Sequence, residues 1–341
     1  MIPRLNIHFG IKDQAAFFSR HNMYIPEKNE FMLNHSRSAL ALALMAMDLP
    51  KDKSVGIMIY NCHTVMSAVC KVGLSISFID VTDELKINRE DLRQKRDNIS
   101  VLIITHLFGI RNDVASIKEE FPDLIVIEDC AHLYGANITG DFATFSIGQG
   151  KFPSVGDGGI LVVNNKKYLT CVNKLYVKLS DYSIVDECCL FIKLLVKAFL
   201  YSPFIYGIVT YHLQKRNSSM KDGLHWRICR MSHGICSMYN KARANIKSDT
   251  EKQIRVAEQM TSQLKGKSAY YGENAFMVIV RTDNPCRFQN ELLRKGIVSA
   301  THFAHCIDWA KDFGYISNSC PNAQKLVGQL TMIPTYRTIK L

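Results

Sequence analysis

Between residues 55 and 163, short, continuously apolar, β-branched runs alternate with stretches of helical period. The runs Val55–Tyr60, Ser75–Asp80, Val101–Thr105, Leu124–Glu128, Phe142–Ser146 and Gly159–Val163 predict strands. Thr64–Val72, Ile87–Lys95 and Asp113–Phe121 predict helices between them. A strand apolar on every position needs cover on both faces, so the pattern predicts an α/β fold with a mostly parallel sheet coated by helices. Upstream, the cluster Asn34–Ser38 followed by ALALALMAM reads as an N-cap opening a buried helix that ends near Pro50. Met1–Phe31 shows no period and reads as an irregular lead-in.

After Val163 the character changes. Lys166–Val177 predicts a helix, and Cys188–Thr210 is the most apolar segment of the chain. It approaches the roughly 20 residues that span a bilayer. Lys193 and Lys197 lie on one face of it and Pro203 breaks its second half. A packed helical hairpin, a face lying at a membrane interface and a true span all remain open. Gln214–Gly223 reads as a polar, basic linker and His233–Leu264 as one long helix. From Ala275 the α/β pattern restarts, with a strand Phe276–Arg281, a helix Pro285–Lys295, a short strand near Val298–His302 and a helix near Asn322–Leu330. The expected organisation is a large domain over 1–245, carrying an apolar insert at 186–212, and a small C-terminal α/β domain over 246–341.

Composition narrows the function. The 341 residues are 47% apolar and 21% charged, as in a globular protein. The formal charge of +11, from 42 Lys+Arg against 31 Asp+Glu, favours anionic partners: nucleotide substrates, nucleic acid or an acidic membrane. No zinc-finger spacing and no sustained basic helix supports nucleic acid. The eleven cysteines form no framework, and Cys188 and Cys189 are adjacent. Met1–Arg20 carries charges and no long apolar core. Both features point to a reducing cytosol with free thiols, and the cysteine spacing makes no zinc ribbon.

The candidate chemistry is concentrated in Leu124–Val163. Asp129 ends a strand, His132 follows three residues later, Ser146 ends the next strand, and Lys151 sits in a loop bearing Gly148, Gly150, Pro153, Gly156, Gly158 and Gly159. Singly, Asp129 could cap a turn and Lys151 could be a solvated surface residue. Ser36–Ser38 could likewise be an ordinary helix cap. Together they form a kit that grips pyridoxal phosphate. A lysine forms the Schiff base and an acid keeps the pyridinium nitrogen protonated, so that the ring serves as an electron sink. A helix N-terminus rich in hydroxyls seats a phosphate. Sites in parallel sheets lie at the carboxyl ends of strands, where Asp80, His106 and Asp129 all fall.

These residues resemble the DegT-type pyridoxal-phosphate-dependent sugar aminotransferases, a fold-type I family. The resemblance is carried by Glu128-Asp129-Cys130-Ala131-His132 with Gly135-Ala136, Gly140-Asp141, Phe145-Ser146-Ile147, Lys151 and Gly156-Asp157-Gly158-Gly159. Further pieces match in order: the helix from Ala39, Gly73 to Asp80, Thr105-His106-Leu107-Phe108-Gly109, Arg230-Met231-Ser232, and Ser319-Cys320-Pro321 through Pro334-Thr335. The resemblance implies that Lys151 carries the cofactor and then moves the proton at the substrate carbon. It implies that Asp129 pairs with the ring nitrogen and that His132 lies by the phenolic oxygen or ring face. Ser146 and the helix start at Ser36, Arg37 and Ser38 would hold the phosphate. It further implies a homodimer that moves an amino group from an amino acid, glutamate foremost, to a nucleotide-linked keto-sugar for surface polysaccharide or related sugars. The chain departs from the family pattern at Ser36-Arg37 (Gly-Thr), at Cys62 between Tyr60 and His63 (a ring-stacking aromatic), and at Ile228 (an asparagine that reaches the neighbouring subunit's phosphate). Two alternatives stand beside this reading: a sugar dehydratase using the same cofactor, and a degenerate homologue with a regulatory or scaffold role. The apolar stretch 188–210 adds an expectation of peripheral contact at the inner face of the membrane.

Overall fold

The computed structural model describes residues 1–336 apart from 6, 8, 20–22, 51, 136, 217–225 and 265, and describes 214–216 by backbone alone. At its centre is a seven-stranded sheet. It comprises β1 (Glu30–Leu33), β2 (Ser54–Met58), β3 (Ser75–Ile79), β4 (Ile99–Thr105), β5 (Ile125–Asp129), β6 (Phe142–Ser146) and β7 (Gly159–Val163), in the order β1-β7-β6-β5-β4-β2-β3. The strands from β3 to β6 run parallel, and β7 is antiparallel to both its neighbours. The unbroken apolar runs have a direct cause. Val101 and Ile103 of β4 enter one core with Leu40 and Leu42, while Leu102 and Ile104 enter another on the opposite face.

The lead-in is not irregular throughout. It holds α1 (Ile11–Phe17), and β1 begins within it. Neither is legible locally: β1 is four residues long, and its partner β7 lies far along the chain. The sheet is covered by α2 (Ser36–Met45), α3 (His63–Lys71), α4 (Arg89–Lys95), α5 (Val114–Glu120) and α6 (Leu169–Tyr176). Helix α2 is buried from Ser38 through Leu44, which is why its sequence is apolar all round.

The apolar insert forms α7 (Ile184–Leu200), then α8 (Pro203–Ile205), a π turn at Tyr206–Thr210 and α9 (Tyr211–Arg216). The two arms meet at 62° near Pro203, and no single helix among the described residues is long and apolar enough to cross a membrane. Leu190 and Leu194 face the protein, whereas Ile192, Phe199, Phe204 and Ile208 are 58%, 63%, 75% and 60% exposed. Of the expected linker, 214–216 close α9 and 217–223 lie outside the described residues.

The long helix expected at His233–Leu264 is two helices, α10 (His233–Arg243) and α11 (Ile246–Gln263). Two cores divide it: Ile235 and Met238 pack with Phe17 and Phe145, whereas Ala257 and Met260 pack with Val278 and Ile333. The C-terminal sheet β10-β9-β8 is antiparallel, built from β8 (Ser268–Tyr271), β9 (Met277–Arg281) and β10 (Leu330–Pro334). Around it lie α12 (Pro285–Arg294), α13 (Cys306–Lys311) and α14 (Pro321–Val327). The strand expected at Val298–His302 is only a single bridge, Ala300 to Met332, because the Val298 N–H is already bonded to Ile2 O. The predicted last helix stops at Val327 because Leu330 begins β10, where it pairs with Arg281.

Candidate active site

Three polar residues stand at strand ends, and only one faces a site. Asp80 accepts the N–H groups of Asn322 and Ala323, both at 3.0 Å, and so anchors α14 to the sheet. His106 is fully buried. Its Nδ1 accepts the Asn112 N–H at 3.1 Å and its Nε2 donates to Glu128 at 2.9 Å. Glu128 also accepts the N–H groups of Thr139 and Gly140. This His–Glu pair is a satisfied structural element, with Cys130 beside it.

Asp129, the last residue of β5, is buried, and the Lys151 charge bears on it. Its Oδ2 accepts the Thr105 hydroxyl at 3.0 Å, its Oδ1 accepts the Ala131 N–H at 3.1 Å, and Asn61 Nδ2 donates to Thr105 Oγ1 at 2.7 Å. Burial pushes the Asp129 carboxyl up, opposed by the Ala131 N–H, the Lys151 charge and the Thr105 hydroxyl. Lys151 is the mirror case. Burial pushes its amine down, with Cys62 and Asp129 pulling the other way. Its Nζ lies 2.9 Å from His132 Nε2, and His132 Nδ1 lies 3.2 Å from the Phe108 N–H. Phe108 holds a left-handed backbone (φ 55°) that aims this N–H. The imidazole is stacked on Phe276 (4.7 Å), Phe108 (5.3 Å) and Phe303 (5.8 Å), and this burial drives its pKa well below the ordinary value.

The expected phosphate seat is assembled by strand register. Ser146 of β6 pairs with Gly159 of β7, which pairs in turn with Leu33 of β1. Gly159 lies so close to Ser36 N and the His35 carbonyl that a Cβ has no room there. Ser146 and the start of α2 therefore meet across one glycine. The hydroxyls of Ser36 and Ser38 are buried without a hydrogen-bond partner among the described residues, and the N-cap His35 supplies no side-chain cap, since its Nε2 turns to Asp157 at 3.3 Å. Unmet hydroxyls at a buried helix N-terminus fit a phosphate dianion. Arg37 is placed differently: its guanidinium lies over the Trp226 ring at 5.0 Å.

The departures also have places. Tyr60 is fully buried and donates its hydroxyl to His302 O at 2.7 Å. The His63 ring meets Trp309 edge-on at 5.1 Å. Cys62 remains beside Lys151. Burial would raise its thiol, yet contacts with His63 and Thr64 bring it below the ordinary value. Ile228, like Trp226, packs at the margin of the core around α2. Sequence reasoning missed Thr105, Asn61, Phe276, His302 and Phe303. Thr105 lies within a recognisable stretch, but the last three come from the far C-terminal half, with no local signal.

Lys151 opens onto a cavity of about 640 Å³ between the 150–155 loop, α10, α11 and the ends of β9 and β10, with Phe276, Thr335 and Arg4 in its wall. That volume suits a small-molecule substrate.

Residues 12–180 match the model of the DegT/DnrJ/EryC1/StrS aminotransferase family. GDP-perosamine synthase of Escherichia coli O157:H7 is 30% identical over 139 residues, 38% of this chain and 38% of that protein. The dTDP-3-amino-3,4,6-trideoxy-alpha-D-glucose transaminase of Micromonospora megalomicea subsp. nigra is 26% identical over 155 residues, 42% of this chain and 41% of that protein. The chain thus spans well under half the length of these curated relatives. Among solved structures, the PLP form of Spr1654 from Streptococcus pneumoniae superposes with a TM-score of 0.74 at 14% identity, over 99% of this chain and 94% of that one. The sugar aminotransferase CalS13 from Micromonospora echinospora superposes with a TM-score of 0.70 at 16% identity, over 98% and 95%. At such identity the structural likeness speaks to the fold, which is that of these enzymes. The stretch matched by the family model holds Ser36, Asp129, His132, Ser146 and Lys151 alike, and residues 12–180 of the chain are those of the DegT/DnrJ/EryC1/StrS aminotransferase family.

Proposed function

We propose that the protein is a pyridoxal-phosphate-dependent aminotransferase that moves an amino group from an amino acid, glutamate foremost, to a nucleotide-linked keto-sugar. The observation that carries this reading is the opposed pair Asp129 and Lys151, a buried acid pushed up and a buried amine pushed down, beside the orphaned hydroxyls of Ser36 and Ser38. Each is costly in an empty protein and is relieved by a ligand with a cationic ring nitrogen, an aldehyde and a phosphate. When bound, pyridoxal phosphate supplies the electron sink for amino transfer. The chain supplies the rest. Asp129, held by Thr105 and Ala131, accepts the ring N–H. Ser146, Ser36, Ser38 and the α2 N-terminus hold the phosphate. Lys151 serves as nucleophile and then carries the proton at the substrate carbon, and His132 orients its amine.

The reading extends to a cytosolic homodimer serving surface polysaccharide synthesis, with the bare face of α7–α9 resting on the membrane, and to a domain boundary at the break between α10 and α11. Names of relatives such as GDP-perosamine synthase support a nucleotide sugar as acceptor. The test is direct. Protein loaded with the cofactor is reduced with borohydride and mapped by mass spectrometry. The label is expected on Lys151, and a cofactor-bearing wild type without it would overturn the mechanism.

A further inference from the structure

The first five residues are a strap tied at several points. Met1 N donates to Pro203 O at 2.9 Å, and Ile2 N donates to Gly296 O at 2.7 Å. Val298 N donates to Ile2 O at 3.1 Å, and Tyr336 donates its hydroxyl to Pro3 O at 2.6 Å. Leu5 then packs on Gly150, the residue before Lys151, so closely that a Cβ at Gly150 would meet Leu5 Cδ2 at 2.6 Å. Between these ties sits Arg4, in the wall of the Lys151 cavity.

Arg4 has no ion pair and no hydrogen bond to its guanidinium among the described residues. Burial lowers its pKa, opposed by the phenols of Tyr206 and Tyr201. The acids of the same cavity are committed elsewhere, Asp13 to Lys241 at 2.6 Å and Asp249 to Lys252 at 2.8 Å. Arg4 is half-buried in the cavity wall, and its planar fork matches a carboxylate. His302 adds to the site. Its Nδ1 is buried without a partner among the described residues, its ring lies 5.7 Å from that of His132, and the charges of both Arg4 and Lys151 bear on it.

We propose that Arg4, with His302 beside it, binds the carboxylate of the amino-acid donor at the Lys151 cavity. The inference rests on the aminotransferase reading and adds to it the residue that recognises the donor. The position decides between the two anionic substrates. A donor's α-carboxylate lies only about 2.5 Å from the nitrogen that reacts, two bonds away, so its binder must share the lysine's cavity. A nucleotide's diphosphate is separated from the reacting carbon by the sugar ring.

The experiment titrates cofactor-loaded wild type, Arg4→Gln and Arg4→Lys with L-glutamate, L-glutamine, L-aspartate and L-alanine, following the cofactor spectrum. Calorimetry with glutarate and with UDP runs alongside. Arg4→Gln is expected to keep the lysine-linked spectrum and the melting temperature, and to need about 10- to 100-fold more donor for half conversion. Its rate at saturating donor should change little and its UDP affinity not at all, while Arg4→Lys recovers part of the loss. In wild type, glutarate should shield Arg4 from phenylglyoxal, a readout that needs no folded variant. An unchanged donor requirement, a loss of UDP binding in place of donor binding, or no protection by glutarate would each overturn the assignment. A wild type that holds the cofactor on Lys151 yet answers none of the four donors overturns the aminotransferase reading itself, and the Arg4 assignment with it.

Discussion

The Nζ of Lys151 and the Nε2 of His132 share a 2.9 Å hydrogen bond whose direction is set from the far side of the ring. The Phe108 N–H fills the lone pair of His132 Nδ1 at 3.2 Å. A neutral imidazole has one proton, which then resides on Nε2 and must be donated to Lys151. The amine can accept it only as the free base. The lysine is therefore held as a nucleophile by a histidine that is itself locked by a backbone N–H.

Removing that donor should move the titration of the amine. Cofactor capture needs unprotonated Lys151. In His132→Leu its rate profile is expected to shift to higher pH than in wild type, because the N–H that favoured the neutral amine is gone. Stopped-flow absorbance across the pH range measures it, and coincident profiles would refute the arrangement.

The buried lysine also predicts a pH-dependent stability. Its folded pKa lies below the ordinary 10.5, so between the two values the unfolded chain binds more protons and stability falls as pH drops through that window. Lys151→Met removes the penalty. In cofactor-free protein this variant is expected to melt above wild type at pH 7, with the gain vanishing above pH 10.5. Thermal melts at a series of pH values test both halves of the statement.

Gly159 links the two sides of the phosphate seat. Gly159→Ala would drive a methyl group into the backbone at His35 and Ser36. Such overpacking costs about 1–3 kcal/mol or more, and it should weaken cofactor retention as well as stability. Equilibrium dialysis of the cofactor and chemical denaturation report the two effects separately.

The His106–Glu128 pair is structural, so its loss should appear in stability. Glu128→Ala leaves a buried imidazole and the buried Gly140 N–H unmet and removes the acceptor of the part-buried Thr139 N–H, at an expected cost of about 3–5 kcal/mol. Burial would raise the Glu128 carboxyl, but hydrogen bonds from His106, Gly140 and Thr139 hold it below its ordinary value, so its stabilisation is lost as pH falls through the acid range. Urea denaturation at neutral and acid pH, wild type against variant, checks the size and the direction.

The exposed apolar ridge of α7–α9 makes the membrane reading testable. Wild type is expected to float with acidic-phospholipid vesicles, and Ile192→Ser combined with Phe199→Ser to stay at the bottom of the gradient. Wild type that does not float would remove the idea.

The sequence by itself determined the parallel sheet, because strands buried on both faces must be apolar at every position, and that signature is local. It also determined the acid at the end of β5 and the lysine loop, whose spacing survives within one stretch, from Asp129 to Lys151. What the chain could not reveal along its length was everything settled by distant pairing. Strand β1 exists only because β7 offers an edge, and the helix expected at His233–Leu264 breaks because two separate cores claim its halves. Asp80 and His106 look like Asp129 in sequence, yet one anchors α14 and the other pairs with Glu128. Arg4 reaches the Lys151 cavity, and Phe276, His302 and Phe303 reach the His132 ring beside it, from opposite ends of the chain. Periodicity records which face of an element is dry. Only the folded backbone decides which distant side chains share that dry space, and it is there that desolvation turns an ordinary lysine and an ordinary aspartate into a site.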